Sequence, residues 1–204
     1  MDDAVLVDRL IAATDSARAF ARKAVEQLRA RLVEVFQDDR MRDDWFDIVY
    51  RIKNPSAVRD KIAVRSSLPD HGVLINDFIG VRILTMHNGC VPHVEAVVMA
   101  WSVDAGLVLR ERDDTVEKPR PGGYRALHLD FAFRDAAQYG LPEEMTVEVQ
   151  IETWLQHAHA ILSHRLFYKQ GLAASGNLER ALSKLSKDLH DFDHDLQRIE
   201  DELP

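Results

Sequence analysis

Met145-Thr146-Val147-Glu148-Val149-Gln150-Ile151 alternates apolar and polar residues with a period of two. In a strand that period sends Val147, Val149 and Ile151 to one face and Glu148 with Gln150 to the other. The first face suits a buried core. The second carries a carboxylate and an amide together, which calls for either a functional site or a solvated edge. Outward from this strand, Ala126 to Phe133, Leu107 to Arg112 and Ile79 to Thr85 read as further strands, rich in β-branched and apolar residues. A helix opening at Pro92 and reaching about Trp101 separates two of them, and a helix from about Thr153 to Lys169 closes the body. Strands interleaved with helices in this way predict an α+β domain around one mixed β-sheet.

Long helices flank that domain. From residue 4 to 37, Leu10, Ala17, Ala21, Ala24, Leu28, Leu32 and Val35 recur at helical spacing, predicting one long helix packed on the body. The charged stretch 38–46 reads as a turn, and Asn54-Pro55-Ser56 opens a second helix running to about Arg65, followed by a loop at Pro69-Asp70-His71-Gly72. At the other end Leu178, Leu182, Leu185, Leu189, Phe192, Leu196 and Ile199 form a coiled-coil-like seam, fit either to fold back on the N-terminal helix or to join another subunit as a homo-oligomer. The resulting division is an N-terminal helical segment over 1–45, a sheet domain over 46–172 and an amphipathic helix over 173–204. No internal repeat or low-complexity tract interrupts it.

A chain of 204 residues with 46% apolar residues can bury one substantial core. Its 34 acidic against 26 basic residues give a net charge of −8, opposite to what a nonspecific nucleic-acid binder needs. The single cysteine, Cys90, allows no intrachain disulfide and fits a reducing cytoplasm as an inert, partly buried residue. Asp2 and Asp3 open the chain without the basic start of a signal peptide, and no apolar stretch spans a bilayer. A cytoplasmic protein with no membrane contact is expected.

Several clusters carry chemistry. Arg51 and Lys53, followed by Arg59 and Lys61, place cations at the start of the predicted helix, suited to phosphate or to a plain charged surface. Asp77 stands directly before the strand Phe78-Ile79-Gly80-Val81-Arg82, where a carboxylate and an arginine suit Mg²⁺ and a triphosphate, or merely cap a turn. Glu148 can hold a metal or orient a hydroxyl. The loop Lys118-Pro119-Arg120-Pro121-Gly122-Gly123-Tyr124-Arg125 is stiff and basic and delivers an aromatic ring, for stacking on a base or for packing on the body. His157 and His164 lie a heptad apart, His164 shares a helical face with Tyr168, and Arg165 and Lys169 form the adjacent pair. His190 and His194 stand at metal-binding i,i+4 spacing. The sequence offers them no third ligand, and the apolar seam at Leu189, Phe192 and Leu196 accounts for the segment without one.

In their order, RIKNPSAVRDK, NDFIGVRI, KPRPGGYRALH, VEVQI and HRLFYK across residues 51–169 resemble the synthetase domain of the RelA/SpoT family, at the length of a small alarmone synthetase. The resemblance implies a nucleotidyltransferase-like mixed sheet flanked by helices. It also implies transfer of the β,γ-pyrophosphate of ATP to the 3′-hydroxyl of GDP or GTP with release of AMP. On that basis Asp77 binds Mg²⁺, and Glu148 assists the metal and aligns or activates the acceptor hydroxyl. Arg51, Lys53, Lys61 and Arg82 hold ATP phosphates. Tyr124 stacks on the acceptor guanine, with Arg120, His128, Gln150, His164 and Lys169 completing that side. Two positions depart from the family pattern. Asp113-Asp114-Thr115-Val116 replaces a run that commonly begins with a basic residue, and Glu152 stands where arginine commonly follows the Glu-Val-Gln-Ile strand. Both remove positive charge from the acceptor side, unless Arg112 or Arg120 compensates. They raise the alternatives of an adenosine nucleotide or the 3′ end of tRNA as acceptor, or of a non-catalytic nucleotide-binding regulator.

Overall fold

The computed structural model describes residues 3–36, 46–54, 75–169 and 176–202. Its centre is a five-stranded mixed sheet in the order β1-β2-β5-β4-β3, formed by β1 (Phe46–Ile52), β2 (Ile75–Thr85), β3 (Leu107–Asp114), β4 (Leu127–Phe133) and β5 (Met145–Thr153). Only β2 and β5 run parallel; β1–β2, β5–β4 and β4–β3 are antiparallel. The α+β expectation holds.

The alternation in the strands divides the sheet as predicted. Ile79, Val81 and Ile83 of β2, Val147, Val149 and Ile151 of β5, and Leu127, Leu129 and Phe131 of β4 are all at most 1% exposed. Against the apolar side lie α1 (Asp3–Ala12), α2 (Thr14–Val35) and α3 (Val91–Asp104). α2 buries Ala17, Phe20, Ala21, Ala24, Leu28 and Leu32, one stripe at 3.6-residue spacing. Phe20 meets Phe133 and Tyr139 edge-on at 5.0 Å, and the Trp101 indole nitrogen donates to Gln27 at 3.0 Å. Burying the nine strand residues with Phe20, Leu28 and Leu32 removes each side chain's apolar surface from water, worth roughly 1.5–3 kcal/mol apiece.

The predicted N-terminal helix is two helices. The backbone leaves helical geometry at Ala13, although Ala13 still donates to Arg9 and Ala17 to Ala13. The bend keeps Leu6 and Leu10 of α1 on the same core as α2. Val35, counted in the predicted stripe, is 52% exposed at the end of α2. A second difference concerns Arg51, expected at a helix start: it sits near the end of β1, whose Phe46, Ile48, Tyr50 and Ile52 share a strand period. The helix expected from Pro55 to Arg65, with Arg59 and Lys61, lies outside the described residues, as do the loop at Pro69–Gly72 and the turn expected over 38–46 except for Phe46, which begins β1 instead.

After β5 the chain forms α4 (Trp154–Lys169) and α5 (Gly176–Asp201), which pack on each other. The apolar seam of α5 faces the body only in part. Leu182 is buried and Leu178, Leu189 and Leu196 are half-buried, but Leu185, Phe192 and Ile199 are exposed, and the other buried residues are the polar Ser186, His190 and Asp193. The body decides this by what it presents. The Gly123 carbonyl accepts from Ser186 Oγ, the Leu182 carbonyl lies 2.9 Å from His159 Nε2, and Thr153 Oγ1 donates to Asp193 Oδ2 at 2.8 Å. Leaving those buried polar groups unpaired would cost more than exposing three apolar side chains of a helix.

Candidate active site

The register of the strands lines up the polar face in rows. One row runs Arg51, Gly80, Glu148, Asp130, Glu111 across β1, β2, β5, β4 and β3; the next runs Val49, Arg82, Gln150, His128, Asp113. Residues directly opposite share a face, so the sheet gathers carboxylates and cations that lie far apart in sequence.

Asp77 sits inside β2 rather than ahead of it, where the pairing with β5 shifts between Ile75 and Ile79. Its φ is +67°, a left-handed conformation that a β-branched residue would resist and aspartate tolerates. The irregularity turns its carboxylate to Lys53, whose ammonium lies 2.9 and 2.8 Å from the two oxygens. Gly80 has a different role. A Cβ there would meet Arg51 Cγ and Nε at 3.1 Å, so its missing side chain lets Arg51 cross the sheet and bring Nη2 to 3.9 Å from Glu148 Oε2.

Glu148 is held from both sides. His128 Nδ1 lies 2.9 Å from Oε1 and Gln150 Nε2 donates to Oε2 at 2.6 Å. Burial pushes its pKa up, but the His128 and Gln150 contacts outweigh that and hold it below the ordinary carboxylate value. The carboxylate is therefore ionised, and His128 donates through Nδ1–H. The other ring nitrogen, Nε2, then accepts from the Tyr124 hydroxyl at 2.8 Å. Burial first, then Glu152 and Glu148, raise the Tyr124 pKa, so the phenol keeps its proton to donate. Asp130, opposite Glu148, was not singled out by the sequence. Burial and then Glu148 and Glu111 raise its pKa to about 6, and its Oδ1 is buried without a hydrogen-bond partner.

The two residues that depart from the family pattern each take a partner. Glu152 is 1% exposed, with Arg82 Nε at 2.7 Å and His157 Nδ1 at 2.9 Å on Oε1. Arg82 also donates to Gln150 Oε1 through Nη2 at 2.8 Å. Asp113 pairs with Arg120, whose guanidinium lies 5.8 Å from the Tyr124 ring centre. Arg112 faces the other way, bound to Glu95 of α3 at 2.6 and 3.0 Å. Of the two arginines expected to compensate for the lost charge, one is turned from the site and the other is already paired.

A cleft of about 500 Å³ opens beside this network, lined among others by Arg51, Arg82, Gly122, Tyr124, His157, His164 and Arg165. Thus Arg51, Lys53, Asp77, Arg82, Arg120, Tyr124, His128, Glu148, Gln150 and His164 all reach one face of the molecule. Lys169 ends α4, its side chain outside the described residues together with that of Tyr168, and Lys61 is outside them altogether. Strand register adds Gly80 and Asp130 to this face, and Glu152, already visible in the sequence as a departure from the family pattern, joins it as the partner of Arg82.

Residues 50–173 match the region found in RelA / SpoT proteins. The chain belongs to that family. Over 186 residues it is 24% identical to the GTP pyrophosphokinase YjbM of Bacillus subtilis, covering 89% of this chain and 86% of that one. A second RelA/SpoT relative, the GTP pyrophosphokinase YwaC of the same organism, is 26% identical over 63% of this chain and 60% of its own length. The fold matches the small alarmone synthetase 1 of Bacillus subtilis bound to its product pppGpp with a TM-score of 0.72, at 23% identity over 90% of this chain and 94% of that one. Among the described residues no helix is long and apolar enough to cross a membrane.

Proposed function

We propose that this chain transfers the β,γ-pyrophosphate of ATP to the 3′-hydroxyl of GDP or GTP, forming (p)ppGpp and releasing AMP. The observation that carries the reading is the ionised Glu148, fixed between His128 and Gln150, on the sheet face that opens into a cation-lined cleft. Family membership and the curated GTP pyrophosphokinase relatives support the reaction class.

In this reading Arg51, Lys53 and Arg82 receive the ATP phosphates. Each is engaged by an acidic or amide group in the free protein, so phosphate binding exchanges one anionic partner for another instead of desolvating a bare cation. Asp77 and Glu148 would hold Mg²⁺. The donors fit: carboxylate oxygens are the usual protein ligands of Mg²⁺, and Asp77 already turns both oxygens to a cation, the Lys53 ammonium. When bound, the metal would neutralise charge on the triphosphate.

The acceptor 3′-oxygen forms a bond to the β-phosphorus, the α,β-bridging oxygen leaves with AMP, and the hydroxyl proton passes to solvent. A carboxylate with a depressed pKa is a weak base, so Glu148 chiefly aligns the hydroxyl by accepting its hydrogen bond. Pyrophosphoryl transfer asks little more, because positioning and electrostatics supply most of the rate. Arg51 and Arg82 offset charge developing on the leaving oxygen. Tyr124, edged by Arg120, offers a face to the acceptor base.

A second reading has specific support. Asp113 neutralises Arg120 beside Tyr124, which weakens the acceptor side's hold on phosphate and favours an acceptor other than GDP or GTP, the 3′ end of tRNA or an adenosine nucleotide held mainly through its base. Incubation with γ-labelled ATP, Mg²⁺ and separate GDP, GTP, ADP, ATP and deacylated tRNA tests both. Label on GDP or GTP is expected. Label only on tRNA or an adenosine nucleotide replaces the first reading with the second, and nucleotide binding without transfer leaves a regulatory protein.

A further inference from the structure

We propose that Glu117, His190 and His194 form a binding site for a late first-row divalent cation of the Zn²⁺ type, apart from the sheet face. His190 and His194 lie one turn apart on α5. The sequence shows no third ligand near them, but the fold brings Glu117 from the loop after β3, and the three ligand atoms lie within 4.8 Å of one another.

The spacing fits a tetrahedral ion. With metal–nitrogen distances of about 2.0–2.1 Å, tetrahedral angles set two ligand atoms about 3.3–3.4 Å apart. His190 Nε2 and His194 Nε2 are 3.3 Å apart, and Glu117 Oε2 lies 3.5 Å from His190 Nε2. The remaining edge is the longest, and Glu117, with 72% of its side chain exposed, is free to swing and shorten it. Two imidazole nitrogens and one carboxylate oxygen favour Zn²⁺, Co²⁺ or Ni²⁺ over Mg²⁺ or Ca²⁺, and leave a fourth position to water.

The surroundings set the ring orientation. Gln156 Oε1 accepts from the Thr153 amide at 3.0 Å, so Gln156 Nε2 donates to Asn88 Oδ1 at 2.7 Å, and Asn88 Nδ2 faces His190 Nδ1 at 3.2 Å. In the metal-free state His190 thus accepts at Nδ1 and carries its proton on Nε2. Coordination through Nε2 moves that proton to Nδ1, where Asn88 must offer oxygen instead of nitrogen. The exchange gives up one buried hydrogen bond and lowers affinity without blocking the site. Asn88→Asp removes the conflict, since a carboxylate accepts from Gln156 and from His190 Nδ1–H together.

Occupancy joins two parts of the fold. Glu117 begins the loop that ends at Tyr124, so the cation ties that loop to α5.

The test uses untagged full-length protein stripped with a chelator and titrated with Co²⁺. One Co²⁺ per chain with the visible d–d bands of a four-coordinate ion is expected, displaced by Zn²⁺ and indifferent to excess Mg²⁺. His194→Ala should abolish the bands, Glu117→Gln should weaken binding by about tenfold or more, and Asn88→Asp should strengthen it by a similar factor. Absence of a four-coordinate spectrum, or a spectrum that survives His194→Ala, overturns the proposal. Folded Asn88→Asp protein that binds no more tightly overturns coordination through His190 Nε2.

Discussion

Gly123→Ala probes how the loop before Tyr124 is seated. Gly123 has a φ of +86°, and an added Cβ would lie 2.5 Å from Ser186 Cβ and 3.1 Å from the Leu182 carbonyl oxygen on α5. An alanine at positive φ costs roughly 1–2 kcal/mol. The contact at 2.5 Å must also open to an ordinary carbon separation of about 3.5 Å, moving α5 away by about 1 Å. That shift stretches two buried bonds, Ser186 Oγ to the Gly123 carbonyl and Arg125 Nε to Ser186 Oγ, at about 0.5–1.5 kcal/mol each. The sum is about 2–5 kcal/mol, and at roughly 2–4 °C per kcal/mol for a chain of this size the midpoint of thermal unfolding should fall by about 4–20 °C. Gly106→Ala is the control. Its φ of +64° carries similar strain, and an added Cβ there would meet only the flexible Gln138 amide at 3.3 Å, so it should lose only the first part, about 1–2 kcal/mol. Both variants are read by circular-dichroism melts at fixed pH. A Gly123→Ala midpoint equal to that of Gly106→Ala would refute the close seating of this loop on α5.

Asp77→Asn and Glu148→Gln should each lower turnover by about 10²–10³-fold while melting near the parent temperature; near-parental kcat in either sinks the site as assigned. Glu152→Gln leaves Arg82 without its buried anion, and one freed charge-assisted contact of about 1.5–3 kcal/mol should lower KM by about 10- to 150-fold for the nucleotide whose phosphates Arg82 grips. Unchanged KM for donor and every acceptor would show that Glu152 does not restrain Arg82. Cys90 is 2% exposed, and burial raises its thiol pKa to about 11. The neutral thiol is therefore retained until pH rises toward 11, and iodoacetamide at pH 8 should modify the native chain far more slowly than the unfolded one. Equal rates would contradict the buried placement.

The alternation in β5 was enough to assign both its faces and to pick out Glu148 and Gln150. β2, β3, β4, α3 and α4 were legible for similar reasons of period and punctuation. β1 was not, because Asp47, Tyr50 and Arg51 interrupt an edge strand that reads as a charged segment. Strand register, invisible in one sequence, is what makes Glu152 the partner of Arg82 and sets Asp130 opposite Glu148. Loss of positive charge at Asp113 and Glu152 was readable; its masking of two arginines was not. The α5 stripe left its partner open for a related reason. Periodicity identifies an apolar face, but the polar groups waiting on the body turn Ser186, His190 and Asp193 inward and leave Leu185, Phe192 and Ile199 outward. Glu117 was likewise out of reach, since a ligand contributed from a distant loop leaves no spacing signal.

The polar underside of α5 also has a mechanical meaning. A greasy helix contact tolerates slippage, because one methyl group substitutes for another. Directional bonds at Ser186, His190 and Asp193 do not: a displacement of one residue, about 1.5 Å along the axis, mispairs all of them together. The helix therefore works as a key with one depth. Its bitting engages Gly123, between the cleft-lining Gly122 and Tyr124, and Thr153 at the end of the strand carrying Glu148 and Glu152. Whatever lifts α5 releases both at once.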